Sequence, residues 1–152
     1  MIVHNDHDVL MLARTLWGEA RGEPTEGQIA VAWVIHNRAA RGRFAGRLFG
    51  QEGAVAFVCL VPWQFSCWNE GDPNRTRLLV LAEDQFTDQI ALAANVLDGL
   101  VADPTNGADH YHTIEPPAWA EALETWPPEW AATMRETARI GGHVFYDSRP
   151  AQ

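Results

Sequence analysis

The chain has 152 residues, 47% of them hydrophobic, and its 20 acidic against 11 basic residues leave a formal charge of −9. That length and apolar content fit one ordered domain over residues 1–152 with a sizeable core, and exclude a disordered chain. The acidic balance argues against a nucleic-acid binder, which needs a basic footprint, and against docking to anionic lipid, while a neutral glycan remains compatible.

No run approaches the ~20 apolar residues of a membrane span, so membrane insertion is not expected. The residues after Met1, IVHNDHD, lack the basic start and long apolar core of an export signal. From there Val9, Leu12, Ala13 and Leu16 recur at i, i+3, i+4 and i+7 and predict a helix over about 8–18. Continuing that face by three residues reaches Glu19, before Gly22 and Pro24 break the pattern. A carboxyl held between two apolar helices is partly desolvated, which raises its pKa and suits it to the work of a general acid. Glu23 and Glu26 are near enough in sequence to share that role, and an exposed helix-end glutamate is the competing reading. Thr25 and Gln28 have the spacing of a capping box and predict a second helix from Thr25 to about Arg38, apolar over most of its circumference and therefore buried.

Residues 39–53, rich in Gly and Arg, read as loop, and 54–61, AVAFVCLV, as a short β-prone run ended by Pro62. Cys59 and Cys67 do not have CxxC spacing, so a redox or zinc motif is not supported, and two buried free thiols are expected rather than a disulfide. The following PWQFSCWNEGDPN is a loop carrying aromatics. Gln64, Ser66 and Asn69 can bond sugar hydroxyls and N-acetyl groups, and Phe65 and Trp68 can cover an apolar sugar face or pack the loop against itself. Helix resumes from about Arg75, most clearly over 87–97. A turn at 104–107, a strand at 109–113, a helix over about 128–140 and a final strand at 141–146 complete an α+β pattern, helix-rich with a small sheet.

His110 and His112 alternate on the predicted strand and could reach one metal ion with His143, Asp109 or Glu115, which would make the chain a zinc-dependent peptidase. There is no HExxH, and histidines hydrogen-bonded beside a cleft are the better reading, so no metal or cofactor is expected. Trp119, Trp126 and Trp130 lie among prolines as groove walls or as a clamp on the last helix. Glycosidases commonly use two carboxylates. Asp109, Asp72 and Glu70 are possibilities for the second, or one carboxyl suffices if the substrate supplies its own nucleophile.

Four blocks, LARTLWGEARGEPTEGQIAVAWVIHNR (12–38), QFSCWN (64–69), GADHYHT (107–113) and GGHVFY (141–146), resemble in order the SleB-like cell wall hydrolases, the family of spore-cortex-lytic enzymes. The resemblance implies a fold related to lytic transglycosylases and goose-type lysozymes, and cleavage of the β-1,4 bond between N-acetylmuramic acid and N-acetylglucosamine in peptidoglycan. It implies Glu19 as the catalytic acid with Glu23 as its supporting neighbour. It implies Gln64, Phe65, Ser66 and Tyr111 as cleft residues, to which the reading of the residues adds Trp68 and His110. A 1,6-anhydro product is the preferred outcome and hydrolysis, as in a lysozyme, the alternative. Without an export signal or wall-binding repeat the chain looks like a phage-type endolysin. It is expected to be a monomer, held in the host cytoplasm until a holin-type partner gives it access to the wall.

Overall fold

The structure is a computed structural model that describes residues 1–42, 44–61, 64–118 and 126–151. Helix α1 spans Asp6–Ala20. It opens on a reciprocal cap: the Asp8 N–H donates to Asn5 Oδ1 (2.9 Å) and the Asn5 N–H to Asp8 Oδ2 (3.0 Å). Leu12, Ala13 and Leu16 are fully buried, as their spacing requires. The helix outruns its predicted end by two residues, so Glu19 lies within its last turn.

Helix α2, Thr25–Arg41, begins with Pro24 rather than Thr25 in the N-cap position, and no side chain caps it. The expected capping box is therefore absent. Gln28 instead turns its amide back to donate to the Glu23 carbonyl (3.1 Å). Val31, Ala32, Val34 and Ile35 are fully buried. The helix closes on Gly42 at φ 71°, a left-handed stop that glycine adopts without a Cβ penalty.

Residues 54–61, read as β-prone, instead form helix α3, Ala54–Leu60. The cause is a distant carboxylate. Asp8, fully buried in α1, accepts from the N–H groups of Gly53 (2.8 Å) and Ala56 (2.9 Å), satisfying the free donors at the start of α3. Val55, Val58 and Cys59 then face the main core. A tertiary cap and a helical burial pattern override the β preference of the valines.

Helices α4, Pro73–Val80, and α5, Thr87–Leu97, follow where expected, and α5 packs chiefly along α1. Strands β1 (His110–Thr113), β2 (Arg135–Ile140) and β3 (His143–Asp147) form an antiparallel sheet in the order β1-β3-β2. The helix expected over 128–140 is thus a short 3₁₀ turn, Glu129–Thr133, followed by strand β2. Pairing of β2 with β3 across the Gly141–Gly142 turn, with Ile140 opposite His143, decides the matter. The sheet joins the helices where Phe145 and Ala108 bury against Ala30 and Val34 of α2. The molecule is accordingly α+β, with its small sheet leaning on α2. Among the described residues no helix is long and apolar enough to cross a membrane.

Candidate active site

Glu19 lies where α1, the 64–68 segment and β1 converge. Its Oε1 accepts from the Cys67 backbone N–H at 3.2 Å. The side chains of Cys67 and Ser66 lie close enough to favour its charged form as well. Burial nevertheless dominates and, with the nearby charge of Asp72, raises the pKa of Glu19 above the ordinary carboxylate value against those contacts. The backbone that allows this approach is glycine: a Cβ on Gly18 would stand 2.9 Å from Cys67 Cβ and 3.0 Å from its Sγ. The Gly18-Glu19 pair therefore combines a carboxyl with the gap that admits its hydrogen-bond donor.

Tyr111 comes from β1. The side chain is half-buried, and desolvation and then the Glu19 charge drive the pKa of its phenol up. The ring packs edge-on to His143 (4.9 Å between centroids) and against Phe145 (5.8 Å).

Glu23, the second glutamate of the motif, holds the sheet in place. Its Oε2 accepts from the Gly142 N–H (3.1 Å), and its Oε1 lies 3.1 Å from His143 Nδ1, off the line of a good hydrogen bond. A Cβ on Gly141 or Gly142 would sit 2.6 or 2.9 Å from these oxygens. The two glycines of GGHVFY thus make room for the carboxylate of GEARGE. Through β3, that contact fixes β1 and so the distance from Tyr111 to Glu19. Glu26, by contrast, is exposed on the first turn of α2.

Arg38, which sequence reasoning missed as a site residue, organises the other wall. It is 5% exposed. Its Nε donates to the Asp109 carbonyl (2.6 Å) and its NH1 to Gln64 Oε1 (3.0 Å), with the guanidinium over Phe44 and beside Phe65. An arginine has only donors, so it fixes the Gln64 amide with its carbonyl inward and its NH₂ available as a donor. The one signal in the sequence was an arginine at the end of an otherwise apolar helix, which reads as a helix-end charge.

The remaining predicted residues lie outside this cluster. Phe65 is 2% exposed and belongs to the core. Trp68 donates its indole N–H to Thr15 Oγ1 (2.8 Å), one helical turn before Glu19, so its ring braces α1. His110 pairs with Asp109 Oδ1 (2.9 Å) and packs against Phe44 and Trp130. His112 has both ring nitrogens engaged, with the Thr113 carbonyl and the Tyr146 hydroxyl. Since His143 packs on Tyr111, it occupies the sheet face opposite His110 and His112, and the three imidazoles do not converge. Among the described residues no group of three or more His, Cys, Asp or Glu is placed to hold a metal ion. Trp126 and Trp130 pack around His112 at the end of the sheet, and Trp119 lies outside the described residues.

Of the possible second carboxylates, Asp109 is committed elsewhere. Burial would raise its pKa, but His110 and the backbone and hydroxyl of Ser148 outweigh burial and hold it far below the carboxylate range, with Arg41 at 3.2 Å. Asp72 caps α4 through Asn74 (2.8 Å). Glu70 is exposed on the turn before it. Cys59 and Cys67 are free and buried, and burial pushes the Cys59 thiol up to about 12.

A half-buried carboxyl of raised pKa at a helix end, beside a phenol and neutral hydrogen-bonding groups, is the class of site suited to acid catalysis on a neutral substrate. The chain belongs to the cell wall hydrolase family, whose model matches residues 22–146, beginning three residues after Glu19. The spore cortex-lytic enzyme of Bacillus subtilis is 38% identical over 145 residues, covering 93% of this chain and 38% of that protein. The spore cortex-lytic enzyme of Halalkalibacterium halodurans is 32% identical over 143 residues, covering 93% and 35%. The chain thus spans well under half the length of these relatives. Among solved structures, the catalytic domain of the germination-specific lytic transglycosylase SleB from Bacillus anthracis superposes with a TM-score of 0.65 at 26% identity, over 94% of this chain and 96% of that one. The catalytic domain of the Bacillus cereus SleB protein shares the fold, with a TM-score of 0.59 at 24% identity over 95% and 92%.

Proposed function

We propose that this chain is a peptidoglycan-cleaving glycosidase of the lytic transglycosylase type, with Glu19 as its single acid and base. The observation that carries the reading is the state of Glu19, a carboxyl raised above its ordinary pKa by burial, in a chain of the cell wall hydrolase family. The solved relative of the same fold described as a lytic transglycosylase supports it.

In this reading Glu19 gives its proton to the oxygen between N-acetylmuramic acid and N-acetylglucosamine. The glycosidic C–O bond breaks and leaves an oxocarbenium ion on the muramic acid. Glu19, now a carboxylate held by the Cys67 N–H, takes the proton of the muramic acid 6-hydroxyl as that oxygen attacks the cation. The product is a 1,6-anhydro end, and Glu19 regains its proton. With Asp109 held by His110, Ser148 and Arg41, the chemistry that needs one carboxyl is favoured over one that needs two. The Tyr111 phenol, the Gln64 NH₂ and the Ser66 hydroxyl supply the neutral contacts a sugar takes.

Mass spectrometry of digested sacculi tests the product, since an anhydro end lacks one water relative to a hydrolysed one. Glu19→Gln is expected to lower the cleavage rate by about 10²–10⁴-fold with the fold intact. Near-normal lysis by that variant would sink the assignment, and hydrated products would move it to a lysozyme mechanism. The cellular role we propose is host lysis, tested by expressing the chain with and without a holin-type pore. Lysis only with the pore supports the role, and a culture that stays intact with the pore overturns it.

A further inference from the structure

A cavity of about 470 Å³ lies between the end of α1 and the end of α4, lined by Trp17, Arg21, Arg77, Val80, Leu81 and Gln85. Its walls are held together by Arg14, whose NH1 donates to the carbonyls of Leu78 (2.9 Å) and Leu81 (2.8 Å). The polar lining consists of donors. The Arg21 guanidinium lies over the Trp17 ring, 4.1 Å from its centroid, and donates to the Trp17 carbonyl (2.8 Å) and to Asn74 Oδ1 (3.5 Å). Gln85 engages its Oε1 with the Ala82 N–H (2.9 Å), which leaves its NH₂ as a donor. Arg77 is exposed, and among the described residues neither it nor Arg21 has a carboxylate partner. No acidic residue is part of the described lining. Arg41, Arg135, Arg139 and Arg149, by contrast, are each ion-paired. In a chain of formal charge −9, a cavity that gathers two guanidiniums and leaves both without a carboxylate is set for an anion from outside.

We propose that this cavity binds a carboxylate of the peptide stem carried by the muramic acid of the strand being cut. The inference rests on the reading of the chain as a peptidoglycan-cleaving enzyme. Trp17 and Arg21, at i and i+4, share a face of the helical spiral, and Glu19, midway between them, points to the other side. The two sites are linked over the first turn of α4. Asp72 acts on Glu19 and caps α4 through the Asn74 N–H, Asn74 reaches Arg21, and Arg77 follows Asn74 by one turn. A helix with its side chains is about 10–12 Å across. A four-residue stem, extended, spans about 13–14 Å. A stem that leaves the sugar at Glu19 therefore reaches round the end of α1 into the cavity. There the guanidiniums take a carboxylate, and Trp17, Val80 and Leu81 offer apolar contact to the methyl groups of the stem's alanines. A small inorganic anion would leave those three walls unused.

Binding is measured first without turnover, by calorimetry on the full chain carrying Glu19→Gln. The probe is the free tetrapeptide L-alanyl-D-glutamyl-diaminopimelyl-D-alanine. Adding Arg77→Gln is expected to weaken its binding about three- to tenfold, the range for a partly screened charged hydrogen bond. A tetrapeptide with its carboxyls amidated that binds as tightly as the free acid would overturn the proposal. Inorganic phosphate that competes as well as the peptide would make this a simple anion site and overturn the stem assignment. The second readout is a preference: kcat/KM on strands bearing stems, divided by kcat/KM on strands stripped of them by an amidase. Arg77→Gln is expected to lower that ratio about three- to tenfold, through KM rather than kcat. Partial unfolding lowers both rates alike and cannot move the ratio, so a ratio equal to that of the wild type counts against the cavity. Wild-type lysis by Glu19→Gln would remove Glu19 from the chemistry and leave both measurements of the cavity standing.

Discussion

Gly18 and Cys67, 49 positions apart, meet so closely that a single methyl group on Gly18 would stand 2.9 Å from Cys67 Cβ. Such a contact is shorter than side chains adopt, and Leu78 closes the remaining side at 3.1 Å. Gly18→Ala is therefore expected to push the 66–68 turn away from α1 and to detach the Cys67 N–H from Glu19. Cleavage of sacculi should fall at least about tenfold, equal to about 1.4 kcal/mol of lost transition-state stabilisation. Circular dichroism should report an unchanged helix content, because alanine favours helix more than glycine does. Full activity would show that the turn can give way without loss.

Arg38 makes a second prediction. Arg38→Met keeps the length of the side chain but leaves the Asp109 carbonyl and Gln64 Oε1 without their donor. Denaturant unfolding is expected to show a loss of about 2–4 kcal/mol. Arg38→Lys should recover only part of it, since one ammonium cannot reproduce the planar fork that serves both acceptors between two rings. A lysine variant as stable as wild type would refute the fork argument.

Asp8 caps two helices at once, its own and α3. Asp8→Ala should cost about 2–3 kcal/mol, more than a single exposed cap, because it strands the buried Ala56 N–H. Hydrogen exchange offers the sharper check: amides of α3 should lose protection more than those of α5. Equal loss in both helices would mean that α3 does not depend on this carboxylate.

The sign of the pH effect at Glu19 follows from its burial. Its pKa in the folded protein is raised above the unfolded value. The stability this confers is fully present below the unfolded pKa and is lost as pH rises through the folded one. Glu19→Gln carries no such penalty. The variant should therefore melt higher than wild type at about pH 8, and the two curves should converge at about pH 4. A variant that melts lower at alkaline pH would show that the carboxylate is welcome in its site.

Asp109 and Asp147 impose the opposite trend. Hydrogen bonds from Arg149 hold Asp147 down to about 2 despite burial, and Asp109 lies lower still. Stability from both is present above the unfolded carboxylate value and is lost as pH falls through the folded ones. Thermal unfolding followed from about pH 5 to pH 2 should show a steady decline, reduced in Asp109→Asn. An Asp109→Asn variant that declines as steeply as wild type would place the acid sensitivity elsewhere.

By itself the sequence determined the elements whose signal is local. The apolar faces of α1, α2 and α5 follow the helical period, and the strands at 110–113 and 143–147 carry their own β-prone residues. Glu19 was legible because an apolar helix ran directly into it. What the tertiary structure decided depends on partners far away in the chain. The 54–60 segment is helical because Asp8 caps it, and 135–140 is a strand because β3 offers a backbone ladder. Phe65 and Trp68 read as sugar platforms, yet Arg38 covers one and Thr15 ties down the other. Glu23 read as a companion of the acid and lies instead under the Gly141–Gly142 turn. The pattern of apolar residues sets which face is buried, but hydrogen bonds between segments tens of residues apart set what each polar group meets, and the pKa of Glu19 follows from that.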